Sequence, residues 1–201
     1  MNMANKALIL VGYQNDYLGK NGILRQVVEE SSKLNNLIAN TVDLIQNLPD
    51  SVLIVSTPIT FTATYEELID PVGILKNIKD AGALQAGTEG VEMSEELLPF
   101  AHRIIEVKGK RGFNAFAYTD LHSILQQNNI TKVIVASLIT SVCIDSTGRA
   151  AHELGYKAAI LSDCTAARTV FEHEFYCEQI FPVYAEVITH KEFLSSLKVS
   201  L

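Results

Sequence analysis

A three-layer α/β/α sandwich around a mainly parallel, six-stranded sheet is the architecture this sequence predicts. Two observations carry that prediction. Short apolar runs rich in β-branched residues recur at 7–11, 52–56, 103–107, 133–136, 157–161 and 184–188, the mark of strands buried on both faces. Helical patterns separate most of these runs, and strand–helix alternation implies right-handed crossovers onto a parallel sheet. The chain of 201 residues is long enough for one domain with a sizeable core. With no repeat or linker, residues 1–201 are expected to form a single domain.

The first strand, 7–11, stops at the polar and aromatic turn Gly12-Tyr13-Gln14-Asn15-Asp16-Tyr17. In an open parallel sheet, ligands bind beyond the carboxyl ends of strands, and this turn belongs at that edge. Leu34, Leu37, Ile38, Leu44 and Ile45 lie at helical spacing before Pro49, so a helix over about 30–48 is predicted. Residues 57–100 have weak periodicity and many prolines and glycines. A connection of that length is functional or poorly ordered, and it reads as a lid or a subunit-contact region with short helices at 71–79 and 94–98. A basic loop with aromatics, 108–116, follows the third strand, and a helix is predicted from about 119 to 127. After the fifth strand, Ser162-Asp163-Cys164-Thr165 reads as a turn. A helix at 172–180 and a terminal helix at 191–197 complete the pattern.

The fourth strand leads into the stretch on which the chemistry is expected. It runs Val133-Ile134-Val135-Ala136-Ser137-Leu138-Ile139-Thr140-Ser141-Val142-Cys143, an apolar run that passes into a helix start with Thr140 or Ser141 as N-cap. Cys143 thus falls in a first helical turn, where unpaired N–H groups and the dipole favour a thiolate. A nucleophile and an oxyanion hole can be built together there. A small buried hydrophobe is the alternative reading of the same cysteine.

Composition narrows the partners. The net charge of −7 speaks against nucleic acid or an anionic membrane, either of which needs a basic face. No apolar run reaches spanning length and no signal-peptide layout stands at the start. A cytoplasmic protein with a small-molecule substrate is expected. The three cysteines, Cys143, Cys164 and Cys177, have no zinc spacing and are expected to be reduced thiols. The five histidines are scattered, so neither a metal nor another cofactor is expected.

Three motifs in order resemble the isochorismatase-like cysteine hydrolases, a group that includes nicotinamidases and N-carbamoylsarcosine amidases. Residues 11–17 resemble the first-strand motif D-x-Q-N-D-F, residues 110–116 the lysine loop K-x-x-x-x-A-F, and residues 137–143 the nucleophile turn G-x-x-T-x-x-C, with Ser137 for the usual glycine. Gly155-Tyr156 and Ser162-Asp163-Cys164 extend the match. The resemblance implies a Rossmann-like isochorismatase-like fold, a homo-oligomer (most simply a dimer) and an Asp–Lys–Cys triad acting on a small amide, imide or ureide. By position it makes Cys143 the nucleophile and Lys110 the residue that favours its thiolate. It also implies a cis peptide at Leu138–Ile139, aiming the N–H groups of Ile139 and Cys143 at an oxyanion.

Two departures qualify the expected activity. The triad aspartate's place is taken by Gly12, so no carboxylate stands there to move the proton, assistance typically worth roughly 100- to 10,000-fold. Asp16 reads as a turn residue satisfying backbone donors rather than as a substitute acid. The metal-binding Asp/His set of the family's nicotinamidases is also missing, its place reading Ser56-Thr57-Pro58-Ile59-Thr60-Phe61. Gly12, Tyr13, Asp16, Phe61 and Phe116 are the substrate-binding candidates, with Tyr65 and Phe113 as further aromatics near the crevice. Arg168 and Glu172 read chiefly as surface residues. The alternative to a hydrolase is a catalytically impaired relative that binds a metabolite or partner.

Overall fold

The computed structural model describes residues 5–34 and 36–198. Its sheet has six strands, β1 Lys6–Val11, β2 Leu53–Thr57, β3 Ile104–Glu106, β4 Lys132–Leu138, β5 Lys157–Ala166 and β6 Glu186–Ile188. Their order across the sheet is β3-β2-β1-β4-β5-β6, and every neighbouring pair is parallel. The core strands explain themselves: residues 7–11 and 133–138 are fully or almost fully buried, as strands covered by helices on both faces must be. The sheet is the centre of an α/β/α sandwich.

Among the described residues, eight α-helices flank or cap it: α1 Asn15–Leu18, α2 Arg25–Leu34, α3 Leu37–Asn47, α4 Gly73–Ala81, α5 Leu121–Gln127, α6 Asp145–Glu153, α7 Val170–Phe175 and α8 His190–Lys198. Helix α3 packs on β5 and α8, while α6 packs on β4 and β5. The helix expected over 30–48 is instead two, because Asn36 sits in the left-handed region at φ 49°, which ends one helical run and starts another. The expected turn at 162–165 is also corrected. Strand β5 continues through Ala166 and pairs again with β4 at Ser137↔Thr165 and Leu138↔Ala166, after an irregularity between Val135 and Ser137. Helix α7 is followed by a π turn, Tyr176–Ile180, within the predicted 172–180 helix.

Residues 57–100 are ordered around α4 and 3-10 turns at Glu89–Val91 and Glu95–Arg103. They are pinned by the polar turn after β1. The Gln14 side-chain amide donates to the carbonyls of Ile59 (2.8 Å) and Val91 (2.9 Å) and accepts from the Ile59 N–H (2.9 Å). The Asn15 amide donates to the Glu89 carbonyl at 3.0 Å. Asp16 accepts from the Leu84 N–H at 2.6 Å and from the Ile23 N–H at 3.4 Å. A side chain at Gly90 would run into the Asp16 carboxylate, so glycine allows that close approach. Three consecutive polar residues thus replace a helical hydrophobic pattern as the device that folds this segment. No helix among the described residues is long and apolar enough to cross a membrane.

Candidate active site

The strand order reverses direction of growth between β1 and β4, and the crevice beyond their carboxyl ends is where an open α/β sheet binds ligands. Val11 and Ser137 are paired across these strands, so Gly12 and Leu138 leave the sheet side by side. Gly12 has φ 76°, and a side chain there would have its Cβ 3.5 Å from the Leu138 carbonyl oxygen. Ser137 has φ 107°, and the Leu138–Ile139 peptide is cis. The chain then enters a π turn, Thr140–Ile144, closed by the Ile144 N–H donating to the Ile139 carbonyl at 3.1 Å. Cys143 lies inside this turn, directly before α6, rather than in the first turn of a regular α-helix capped by Thr140 or Ser141. π turns are frequent at functional sites.

Lys110 reaches the same place from the loop after β3. The loop is fixed by the bridge between Ile59 and Lys110 and by the Thr147 hydroxyl of α6, which accepts from the Ala115 N–H at 3.0 Å. Lys110 is only 1% exposed. Its Nζ donates to the Gly112 carbonyl at 2.6 Å and lies 3.6 Å from the Cys143 Sγ. Burial lowers the Lys110 pKa, because a charge is costly away from water, and the Cys143 thiolate opposes that shift. Cys143 is itself 6% exposed. The lysine amine and the cysteine sulfur are thus held side by side, largely away from water.

Helix α7 clamps the outer side of the turn. The Thr140 hydroxyl is 3.0 Å from His173 Nδ1, and burial lowers the pKa of His173. The Ser141 hydroxyl donates to the Glu172 carboxylate, which also accepts from Arg168 at 2.8 Å. Glu172 and His173 therefore support the turn that carries Cys143. For Glu172 this corrects the surface reading made from sequence. A depression of about 910 Å³ opens here, lined by Phe113, Ser141, Val142, Arg168, Glu172 and Phe175 among others.

The other candidates fall differently. Tyr13 is buried, with its hydroxyl against the Thr41 hydroxyl. Phe61 is buried against Tyr65. Asp16 is committed to the Leu84 and Ile23 N–H groups. In this structure these three pack and anchor, and Tyr13 also borders a cavity of about 430 Å³. Phe116 is part-buried and stacks on Tyr156. The residue that sequence reasoning missed is Tyr17. The sequence marks it only as the end of a turn motif, yet its ring lies beside Gly12, with Cε2 3.9 Å from where a position-12 Cβ would stand.

Asp163, Cys164 and His190 also converge, their potential ligand atoms all within 4.8 Å of one another. Both imidazole nitrogens are taken, Nδ1 by Asp163 at 2.6 Å and Nε2 by Asp43 at 3.1 Å, and burial pushes the Cys164 thiol well above its ordinary range. The cluster serves as a hydrogen-bonded anchor between β5, α3 and α8.

The isochorismatase domain model matches residues 6–192. The chain belongs to the isochorismatase family. An uncharacterized family protein of Bacillus subtilis, YddQ, is 33% identical over 117 residues, covering 53% of this chain and 64% of that one. A protein of Arabidopsis thaliana named "Probable inactive nicotinamidase" is 30% identical over 166 residues, 82% of each chain. The chain thus matches less than two thirds of YddQ's length, and 47% of the length of two further family proteins. Among solved structures, a cysteine hydrolase from Pseudomonas syringae has a TM-score of 0.85 at 21% identity, covering 100% of this chain and 96% of that one. That similarity concerns the fold.

Proposed function

We propose that the chain is a cysteine-dependent hydrolase of a small amide, imide or ureide, with Cys143 as nucleophile and Lys110 as its cationic partner. The observation that carries this reading is the buried Lys110 ammonium 3.6 Å from Cys143 Sγ at the sheet's switch point. In the proposed reaction the thiolate adds to the acyl carbon, and the peptide N–H groups of Ile139 and Cys143 hold the oxyanion. The leaving group departs to give a thioester, and water hydrolyses it. With glycine at position 12, protonation of a leaving nitrogen lacks a positioned carboxyl, which costs roughly 100-fold or more in rate on plain amides.

The same glycine favours a second reading, in which the pocket binds a metabolite without turning it over. Relatives bearing nicotinamidase names, one of them qualified as inactive, fit either alternative. The test is hydrolysis of nicotinamide and N-carbamoylsarcosine by the wild type and by Cys143→Ala, with mass spectrometry of Cys143 after limited iodoacetamide treatment. Slow turnover that Cys143→Ala abolishes, with Cys143 labelled before Cys164 and Cys177, is the expected result. No cysteine-dependent turnover, together with an unlabelled Cys143, would leave the binding reading as the better one.

A further inference from the structure

The space beside Gly12 is filled by a side chain that carries its own polar group. Tyr17 is 5% exposed, and its ring edge is 3.9 Å from the position a Cβ at residue 12 would take. The hydroxyl has no hydrogen-bond partner among the described residues. Its oxygen is not one of the fully enclosed side-chain atoms without a partner, so it opens to the crevice, where it can give its hydrogen to a ligand atom. Burial raises the Tyr17 pKa first, the Cys143 thiolate raises it next and Asp16 adds a smaller push. All three keep the proton on the oxygen, so Tyr17 faces the thiolate as a neutral phenol. It offers a hydrogen and takes up no proton at ordinary pH. A triad carboxylate would have done the reverse, accepting a hydrogen bond and then shuttling a proton.

We propose that the Tyr17 hydroxyl occupies the third corner of the site as a hydrogen-bond donor to the leaving group, so that the site selects acyl compounds whose leaving atom departs as a stabilised anion. Imides and activated esters belong to this class, and simple amides do not. This rests on Cys143 being the nucleophile. For an aryl ester the thiolate forms the C–S bond, and the C–O bond breaks with its electron pair leaving on the aryloxide. Tyr17 donates a hydrogen bond to that oxygen and retains its proton. Water then adds to the thioester, the C–S bond breaks to restore the thiolate, and both of the water's protons pass to solvent as the acid leaves as its carboxylate.

The experiment compares p-nitrophenyl acetate with p-nitroacetanilide, which share an acyl group and differ in needing a proton on the leaving atom. The wild type is expected to acetylate Cys143 from the ester at least about 100-fold faster than from the anilide. Tyr17→Phe, the residue of the family motif, should slow ester acylation about tenfold. Its thermal midpoint, and its iodoacetamide alkylation of Cys143 on the alkaline plateau, should be unchanged. Ester acylation in Tyr17→Phe equal to wild type would overturn the proposal while leaving Cys143 as nucleophile. Comparable rates on ester and anilide would overturn it as well. Release of p-nitrophenolate that Cys143→Ala does not reduce, or no acetyl group on Cys143, would overturn the parent reading and the proposal together.

Discussion

The ends of β1 and β4 lie next to each other and solve opposite problems with the same backbone. Gly12 and Ser137 both have positive φ, 76° and 107°. The family pattern that the sequence resembles has an aspartate at the first place and a glycine at the second. Here the side chain has been removed where chemistry would want one and added where the backbone would rather have none. Both turns persist nevertheless. The frame of the site is therefore set by register and by what surrounds the two turns, while the side chains on that frame are separately variable. At 137 the cost is visible: the residue is buried, and its hydroxyl has no partner among the described residues. At 12 the glycine relieves conformational strain, and Tyr17 takes the adjoining space.

The two strand ends also differ in what they hold. The β1 turn anchors the 57–100 segment through Gln14, Asn15 and Asp16, whereas the β4 turn carries Cys143. The sharpest way to separate these duties is Asp16→Ala. It leaves the buried Leu84 N–H without its 2.6 Å acceptor and removes a second contact at Ile23. A loss of about 3 kcal/mol is expected, measured by urea unfolding, with protease cleavage appearing inside 57–100 before the rest of the chain. A loss below about 1 kcal/mol, within the range of an ordinary surface change, would show that Gln14 and the segment's own packing hold it without Asp16.

Much of this division was legible in the sequence, and the rest was hidden for physical reasons. Buried strands announce themselves by unbroken β-branched runs, so β1, β2 and β4 stood close to their observed limits. Lys110 and Cys143 lie 33 residues apart in sequence, and motif order alone placed both at one crevice. The order of 57–100 was not legible, because its stability comes from side-chain bonds donated and accepted by three residues near the N-terminus. Local periodicity carries no trace of such contacts. The split between α2 and α3 depends on a single left-handed Asn36, a conformation that asparagine permits and does not require. The continuation of β5 through Cys164 was concealed by Ser162 and Asp163, whose polarity suggests a turn. Tyr17 was missed because a ring's position beside Gly12 follows from the path of the turn.

The comparison of the two positive-φ residues is tested most directly by exchanging their constraints. Ser137→Gly removes both the left-handed penalty on an L-residue and a buried hydroxyl without a partner. It should stabilise the fold by about 1–3 kcal/mol, seen as a higher urea midpoint, with Cys143 alkylation unchanged. If stability falls instead, Ser137 makes a compensating interaction, and the frame at β4 depends on the side chain after all.

Gly12→Ala is the complementary change and the smaller one. The added methyl would meet the Leu138 carbonyl oxygen at 3.5 Å and the Leu138 Cβ and Tyr17 Cε2 at 3.9 Å, all ordinary contacts, so there is room for it. The remaining cost is that of holding an L-residue at φ 76°, about 1 kcal/mol. A loss of that size, with ester acylation of Cys143 retained, would mean that position 12 accepts a side chain for a modest conformational cost. Gly12→Asp then becomes a trial of restored amide hydrolysis, with its thermal midpoint measured alongside because the carboxylate must also find room beside Tyr17. A loss several times larger would mean that the turn cannot tolerate a Cβ at all. In that event the glycine is a backbone requirement of this chain, and Tyr17 is fitted to a turn that no triad aspartate can occupy.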